Sequence, residues 1–243
     1  MKAKIRENHT FGGEEKVSFE YVKSNYNSLL DEISDLAKKV GREVTLVAVT
    51  KSGSDEELIA LAESGACDIG ENRPGELRRR GDLLVEKGFT PRLHEIGNLQ
   101  RNKVKLIIDS VHLIHSLDSL SLAAEINKQA KKSGRTVSVL IEINSAREPQ
   151  KGGIMPEDAE EFLLKLKEFQ HIRVAGLMTM GPVSEDAEQL RPYFRLTKEL
   201  FDRLNRTHGF SEGILSMGMS DSYAVAIEEG ATLVRVGRKL FNR

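Results

Sequence analysis

The 243-residue chain carries 36 Lys plus Arg against 37 Asp plus Glu, a formal net charge of −1, so no global field draws in a polyanion and nucleic acid is not implied as a partner. Apolar residues make up 39% and charged residues 30%, a balance that excludes disorder and fits one large folded core. The single cysteine, Cys67, excludes an internal disulfide and, lying in an apolar stretch, reads as a buried, inert thiol.

Residues 1–16 mix charges with Gly12 and Gly13 and hold no apolar run able to act as a signal sequence or membrane span. They read as a polar N-terminal extension ahead of a single domain at 17–243, and a cytoplasmic setting is expected. From Phe19 to Val40 apolar residues recur every three or four positions, which predicts a helix with Ser18 placed to cap its start and Gly41 its end. VTLVAV at 44–49 is a short β-branched run, the pattern of a strand buried on both faces, and Lys51 lies just past it. Further strands are expected near 68–69, 93–96, 111–115, 137–143, 174–177, 214–215 and 233–236, with amphipathic stretches between them such as Leu120 to Ala130 and Phe162 to Phe169. Alternating β and α units need crossover connections and hence a parallel sheet, and eight such strands predict a single (β/α)8 barrel of TIM type. An open doubly wound sheet is the alternative. Because the chain stops at Arg243, just after the eighth strand, the N-terminal helix is expected to cover the sector where a last helix would pack.

In such a barrel the active site forms where the strands end. The residues there are Lys51, Glu71 and Asn72, Gly97 and Asn98, Ser116 and Asp118, Asn144 and Ser145, Met178 and Thr179, Ser216, and Gly237. A lysine emerging from an apolar strand is partly desolvated, which frees the neutral amine for attack on an aldehyde, although a lysine snorkelling to solvent has the same signature. LSMGMSD from Leu215 to Asp221 puts hydroxyls and Gly218 between a strand and a helix expected to begin near Asp221, a phosphate-binding pattern that an ordinary capped helix shares. In VRVGR from Val234 to Arg238 an arginine interrupts a buried strand. Arg235 needs a partner there, either the pyridine nitrogen of a cofactor or a carboxylate such as Glu142, while Gly237 leaves room for a phosphate. Arg73, Arg78, Arg79 and Arg80 read as a solvated helix face balanced by Glu76, Asp82 and Glu86. The six histidines, His94, His112 and His115 among them, show no ligand spacing, so no metal is expected.

GENRPGEL from Gly70, LHEIGNLQRNK from Leu93, IHSLDSL from Ile114, QKGGI from Gln150, GLMTMGP from Gly176, LSMGMSD from Leu215 and VRVGRKLF from Val234 follow one another in an order that resembles the pyridoxal 5′-phosphate (PLP) homeostasis protein family, over about residues 44–241. The resemblance implies a monomeric barrel like the N-terminal domain of alanine racemase, holding PLP without established turnover and serving vitamin B6 balance, with apo forms of PLP enzymes as possible partners. By matched position, Lys51 would carry the cofactor as an internal aldimine and Arg235 would face its ring nitrogen. Ser216, Gly218 and Gly237 would hold the phosphate, and Asn72 and His94 would line the ring pocket. The chain departs from the family at Arg73, where tyrosine is usual, at Leu93, where an aromatic is frequent, and at Arg238, where the family has a phosphate-binding threonine; the guanidinium would replace that hydroxyl or point away.

Racemisation would need a base on each face of the substrate carbon. Tyr21 and Tyr26 fall on the first helix and Tyr193 and Tyr223 in later helical segments, so none is placed as the opposing base, and a chain ending at Arg243 is expected to lack the domain that supplies one. An arginine at the ring nitrogen also weakens PLP as an electron sink. Binding and delivery are therefore expected, with a slow amino-acid racemase as the alternative.

Overall fold

The computed structural model describes residues 19–242; the polar extension at 1–16 and the capping position Ser18 lie outside them. Eight parallel strands close in sequence order, β1 (Thr45–Val49), β2 (Asp68–Glu71), β3 (Arg92–Glu95), β4 (Val111–Leu117), β5 (Val137–Glu142), β6 (Ile172–Met178), β7 (Ile214–Ser216) and β8 (Leu233–Val236), with β8 pairing back onto β1. The helices are α1 (Glu20–Val40), α2 (Asp55–Glu63), α3 (Pro74–Glu86), α4 (Leu120–Lys132), α5 (Ala159–Leu166), α6 (Arg191–His208), α7 (Tyr223–Glu228) and α8 (Arg238–Phe241), and a 3-10 turn at Arg101–Leu106 joins β3 to β4. The expected (β/α)8 barrel is therefore the fold, and the two shortest expected strands, near Asp68 and Ile214, are both present.

Helix α1 buries Val22, Tyr26, Leu29 and Ile33, one stripe at three- and four-residue spacing. Gly41 ends it at φ 65, with its N–H donating to the Lys38 carbonyl and the Arg42 N–H to the Ala37 carbonyl. The helix packs against α2, α7 and the single-turn α8, and Asn25 Nδ2 donates to the carbonyls of Leu240 (3.3 Å) and Asn242 (2.8 Å). It thus fills the sector between α2 and α7, beside the single-turn α8.

The core has two parts. A large layer lies between strands and helices, and a small inner cluster of Val47, Leu113, Leu140, Ala175, Met178 and Leu233 fills the barrel itself. At Gly176 a Cβ would sit 1.8 Å from the Ile214 carbonyl oxygen, so only glycine lets β6 approach β7 closely enough to pair. The reading of Cys67 as buried is corrected: the thiol is exposed. It belongs to the turn from α2 into β2, and Asp68 is the first residue to enter the barrel.

Candidate functional site

The inner lining changes character within one step of the strand repeat. Leu113 is followed two residues on by His115, Leu140 by Glu142, Ile214 by Ser216 and Leu233 by Arg235, and side chains two apart share a face. The apolar floor therefore gives way to a polar layer just below the carboxyl ends of the strands. His94 joins it from β3, where it pairs in register with Leu113.

Arg235 anchors that layer. It is 4% exposed, its Nη1 donates to Ser216 Oγ, and its Nη2 donates to the Thr179 carbonyl at 3.1 Å. Among the described residues no carboxylate lies within ion-pair distance of it; burial pulls it down to about 10, and Glu142 opposes this from farther away. Glu142 is itself pushed up to about 7 by burial, then by Asp118, against the pull of Arg235. The guanidinium is thus a desolvated cation held by neutral acceptors.

Lys51 is exposed, which corrects the expectation of a desolvated amine: the turn after β1 carries it out of the wall to the rim. Its backbone, however, is gripped. Arg80 of α3 donates through Nη1 to the Thr50 carbonyl and through Nη2 to the Gly53 carbonyl (2.6 Å), bracketing Lys51 and Ser52. Arg80 also pairs with Glu71 at 3.0 Å, and Thr50 Oγ1 donates to the same Glu71 oxygen at 2.6 Å. Burial pushes the Glu71 carboxyl up, against the stabilising pull of Thr50 and Arg80. Arg80 therefore does not belong to a solvated face with Arg78 and Arg79, which do pair at the surface with Asp82, Asp55 and Glu76. It is buried because it lies on the helix stripe between Leu77 and Leu84.

On the adjoining sector of the rim, after β7, Gly218 has φ 93, and a Cβ there would press on Ala226 Cβ at 2.6 Å. A Cβ at Gly237 would meet the Val49 carbonyl oxygen at 2.9 Å, so the backbone after β8 lies against β1 two residues before Lys51. The serine at this cradle is Ser220, whose Oγ accepts from Gly237 N–H at 3.3 Å. Sequence reasoning chose Ser216 instead. That hydroxyl is fully buried and bonded to Arg235 and to His115 Nδ1 (3.0 Å). His94 is not on the rim: it is 2% exposed and bonded to Asp68 and His115. Asn72 is exposed at the end of β2, and Arg238 turns outward to pair with Asp221. Tyr223 donates to Glu32 and receives Lys239 Nζ at 2.8 Å, so it is spent between α1 and α8.

A family model described as alanine racemase, N-terminal domain, matches residues 24–242. A pyridoxal phosphate homeostasis protein of Aquifex aeolicus is 41% identical over 216 residues, covering 88% of this chain and 94% of the relative. The chain belongs to the pyridoxal phosphate homeostasis protein family. Its member in Schizosaccharomyces pombe is 31% identical over 223 residues, 90% of this chain and 92% of the relative. PipY of Synechococcus elongatus, solved with PLP bound, is 26% identical with a TM-score of 0.80 and covers 91% of this chain and 100% of that chain. An alanine racemase of Clostridium difficile, at 19% identity and a TM-score of 0.71, shares the fold over 93% of this chain and 59% of its own length. In this homeostasis-family chain the rim arginine Arg238 is engaged with Asp221.

Proposed function

We propose that this chain binds PLP at the carboxyl mouth of the barrel, holds it covalently through the Lys51 amine as a Schiff base, and acts in intracellular PLP homeostasis without sustained turnover. The observation that carries the reading is Arg235, a buried cation with no carboxylate at contact distance among the described residues and with donors to spare beyond Ser216 and Thr179. A neutral ring nitrogen is an acceptor that such a group serves without further desolvating a second charge. The backbone beside Arg235 suits the phosphate: Gly218, whose carbonyl accepts from Arg235 N–H, and Gly237, bonded to Ser220 Oγ, are packed too closely for a side chain, and Lys51 lies two residues beyond the Val49 contact of Gly237. Asn72 stands at the neighbouring strand end. PipY supports the same reading, being 26% identical and solved with PLP.

The cofactor supplies an aldehyde and an electron-withdrawing ring; the protein's part is to hold both ends. An arginine donating to the ring nitrogen leaves it unprotonated, which disfavours carbanion chemistry and so favours storage or delivery over racemisation. Delivery to apo PLP enzymes, a cytoplasmic setting and a monomeric state belong to the same proposal. The test is to titrate the chain with PLP, reduce with borohydride and locate the adduct by peptide mass spectrometry. Lys51 should carry the pyridoxyl group and Lys51→Ala should yield none. An adduct elsewhere, or none, overturns the reading. Rapid α-proton exchange of L-alanine or L-serine in deuterated water by the PLP-loaded protein would favour the racemase instead.

A further inference from the structure

A continuous line of side chains crosses the inside of the barrel beneath the proposed site. Arg92 Nε donates to Asp68 Oδ1 at 2.7 Å at the amino-terminal rim. The same Asp68 oxygen lies 3.0 Å from His94 Nε2, His94 Nδ1 lies 3.0 Å from His115 Nε2, His115 Nδ1 lies 3.0 Å from Ser216 Oγ, and Ser216 Oγ receives Arg235 Nη1. His94, His115, Ser216 and Arg235 are each at most 4% exposed, so no bulk water supplies a missing partner.

The two ends of the line settle the direction of every hydrogen within it. Guanidinium only donates, and an ionised carboxylate only accepts. With Arg235 donating to it, Ser216 turns its own hydrogen to His115 Nδ1. His115 then carries its proton on Nε2 and donates to His94 Nδ1, and His94 carries its proton on Nε2 and donates to Asp68. Burial pushes Asp68 up, but the bonds from His94 and Arg92 outweigh it and hold the carboxyl at about 2, so the acceptor end persists across the ordinary pH range. His115 is held neutral, well below its usual value, chiefly by burial, with the Arg235 cation acting in the same direction. The opposite arrangement, with His115 protonated on Nδ1, makes His94 a cation with both nitrogens donating inside the barrel.

We propose that Asp68, His94, His115 and Ser216 are positioning residues for Arg235, a line of three neutral groups with all donors pointing toward the Asp68 carboxylate that fixes the guanidinium and leaves its remaining N–H groups for a ligand above. The assignment of that ligand as the PLP ring rests on the proposed function; the direction of the line does not.

Nitrogen NMR of the cofactor-free, histidine-labelled chain at pH 7.5 reads the direction directly. Both His94 and His115 should be neutral Nε2–H tautomers. A His115 Nδ1–H tautomer, or a charged His94, overturns the directional line whether or not PLP binds. The link to the site is read by PLP titration of Ser216→Ala and Ser216→Thr. Loss of a hydrogen bond to a charged group should weaken PLP by about tenfold or more in S216A and shift its visible absorbance band, with the Lys51 adduct still formed. S216T, which keeps the hydroxyl, should restore the wild-type band. Wild-type affinity and an unmoved band in S216A overturn the positioning role, whereas absence of a PLP adduct in the unmutated chain would count against the proposed function alone. If S216A does not fold, the tautomer measurement still decides the direction.

Discussion

The two anchors of the proposed site are held in opposite ways. At the β1 end the protein fixes backbone and leaves the side chain free: Arg80 clamps the carbonyls on either side of Lys51, and the amine itself stands in solvent. At the β8 end it fixes the side chain, since both terminal nitrogens of Arg235 are committed and a chain of buried groups stands behind one of them. A group that must form and release a covalent bond needs reach and water, while a group that only recognises a ring nitrogen gains from having its rotamers removed beforehand. The difference also divides the risk. The first anchor depends on a buried ion pair next to a loop, and the second on tautomers inside the barrel.

Breaking the Lys51 side should give the largest effect. Arg80→Leu leaves Glu71 buried without its cation, which costs about 3–5 kcal/mol, and chemical denaturation should show it. Glu71→Leu in addition should recover part of that loss, because the stranded charge is gone. On the Arg235 side, Glu142 is ionised less readily in the fold (about 7) than in the unfolded chain (4.5), so its contribution is fully present below about pH 4.5 and is lost as pH rises through 7. Glu142→Gln should flatten that decline and raise stability at pH 8 by roughly 2–3 kcal/mol relative to the parent, as followed by denaturation at several pH values. His115 acts in the other direction. Its folded value is depressed, so the stability it contributes is present above the unfolded value of 6.5 and falls as pH drops below it; His115→Gln should reduce that acid slope in the same series. The smallest change is expected from Arg238→Ala. Its pair with Asp221 is solvent-exposed, so melting should move little, and PLP titration will show whether the arginine contributes to the cradle at all.

Much of the fold was legible because its strands are apolar runs of the right length, and every one of the eight expected was found, including β7 with three residues. The layout of the rim followed from the same topology. What escaped were the groups whose role depends on a neighbour far along the chain. Arg80 looked like one of four clustered surface arginines, although its spacing from Leu77 and Leu84 already set it on the buried stripe of α3. His94 was expected at the ring pocket and His115 was given no role, yet the pattern of an apolar residue followed two positions later by a polar one recurs in β4, β5, β7 and β8 and marks the polar layer. Ser220 and Ser216 stand in one short motif, and nothing within it says which serine meets Gly237 and which meets Arg235; partners 17 and 19 residues away decide that.

Cys67 offers a practical opening. As the sole thiol in the sequence, and exposed at the rim opposite the mouth, it accepts a maleimide dye at one defined position without altering any residue assigned to the ligand. Arg92 Nη2 lies 3.6 Å from its sulfur, and Arg92 in turn holds Asp68, so a fluorophore tethered there would watch the lower terminus of the interior line while cofactor is added at the top.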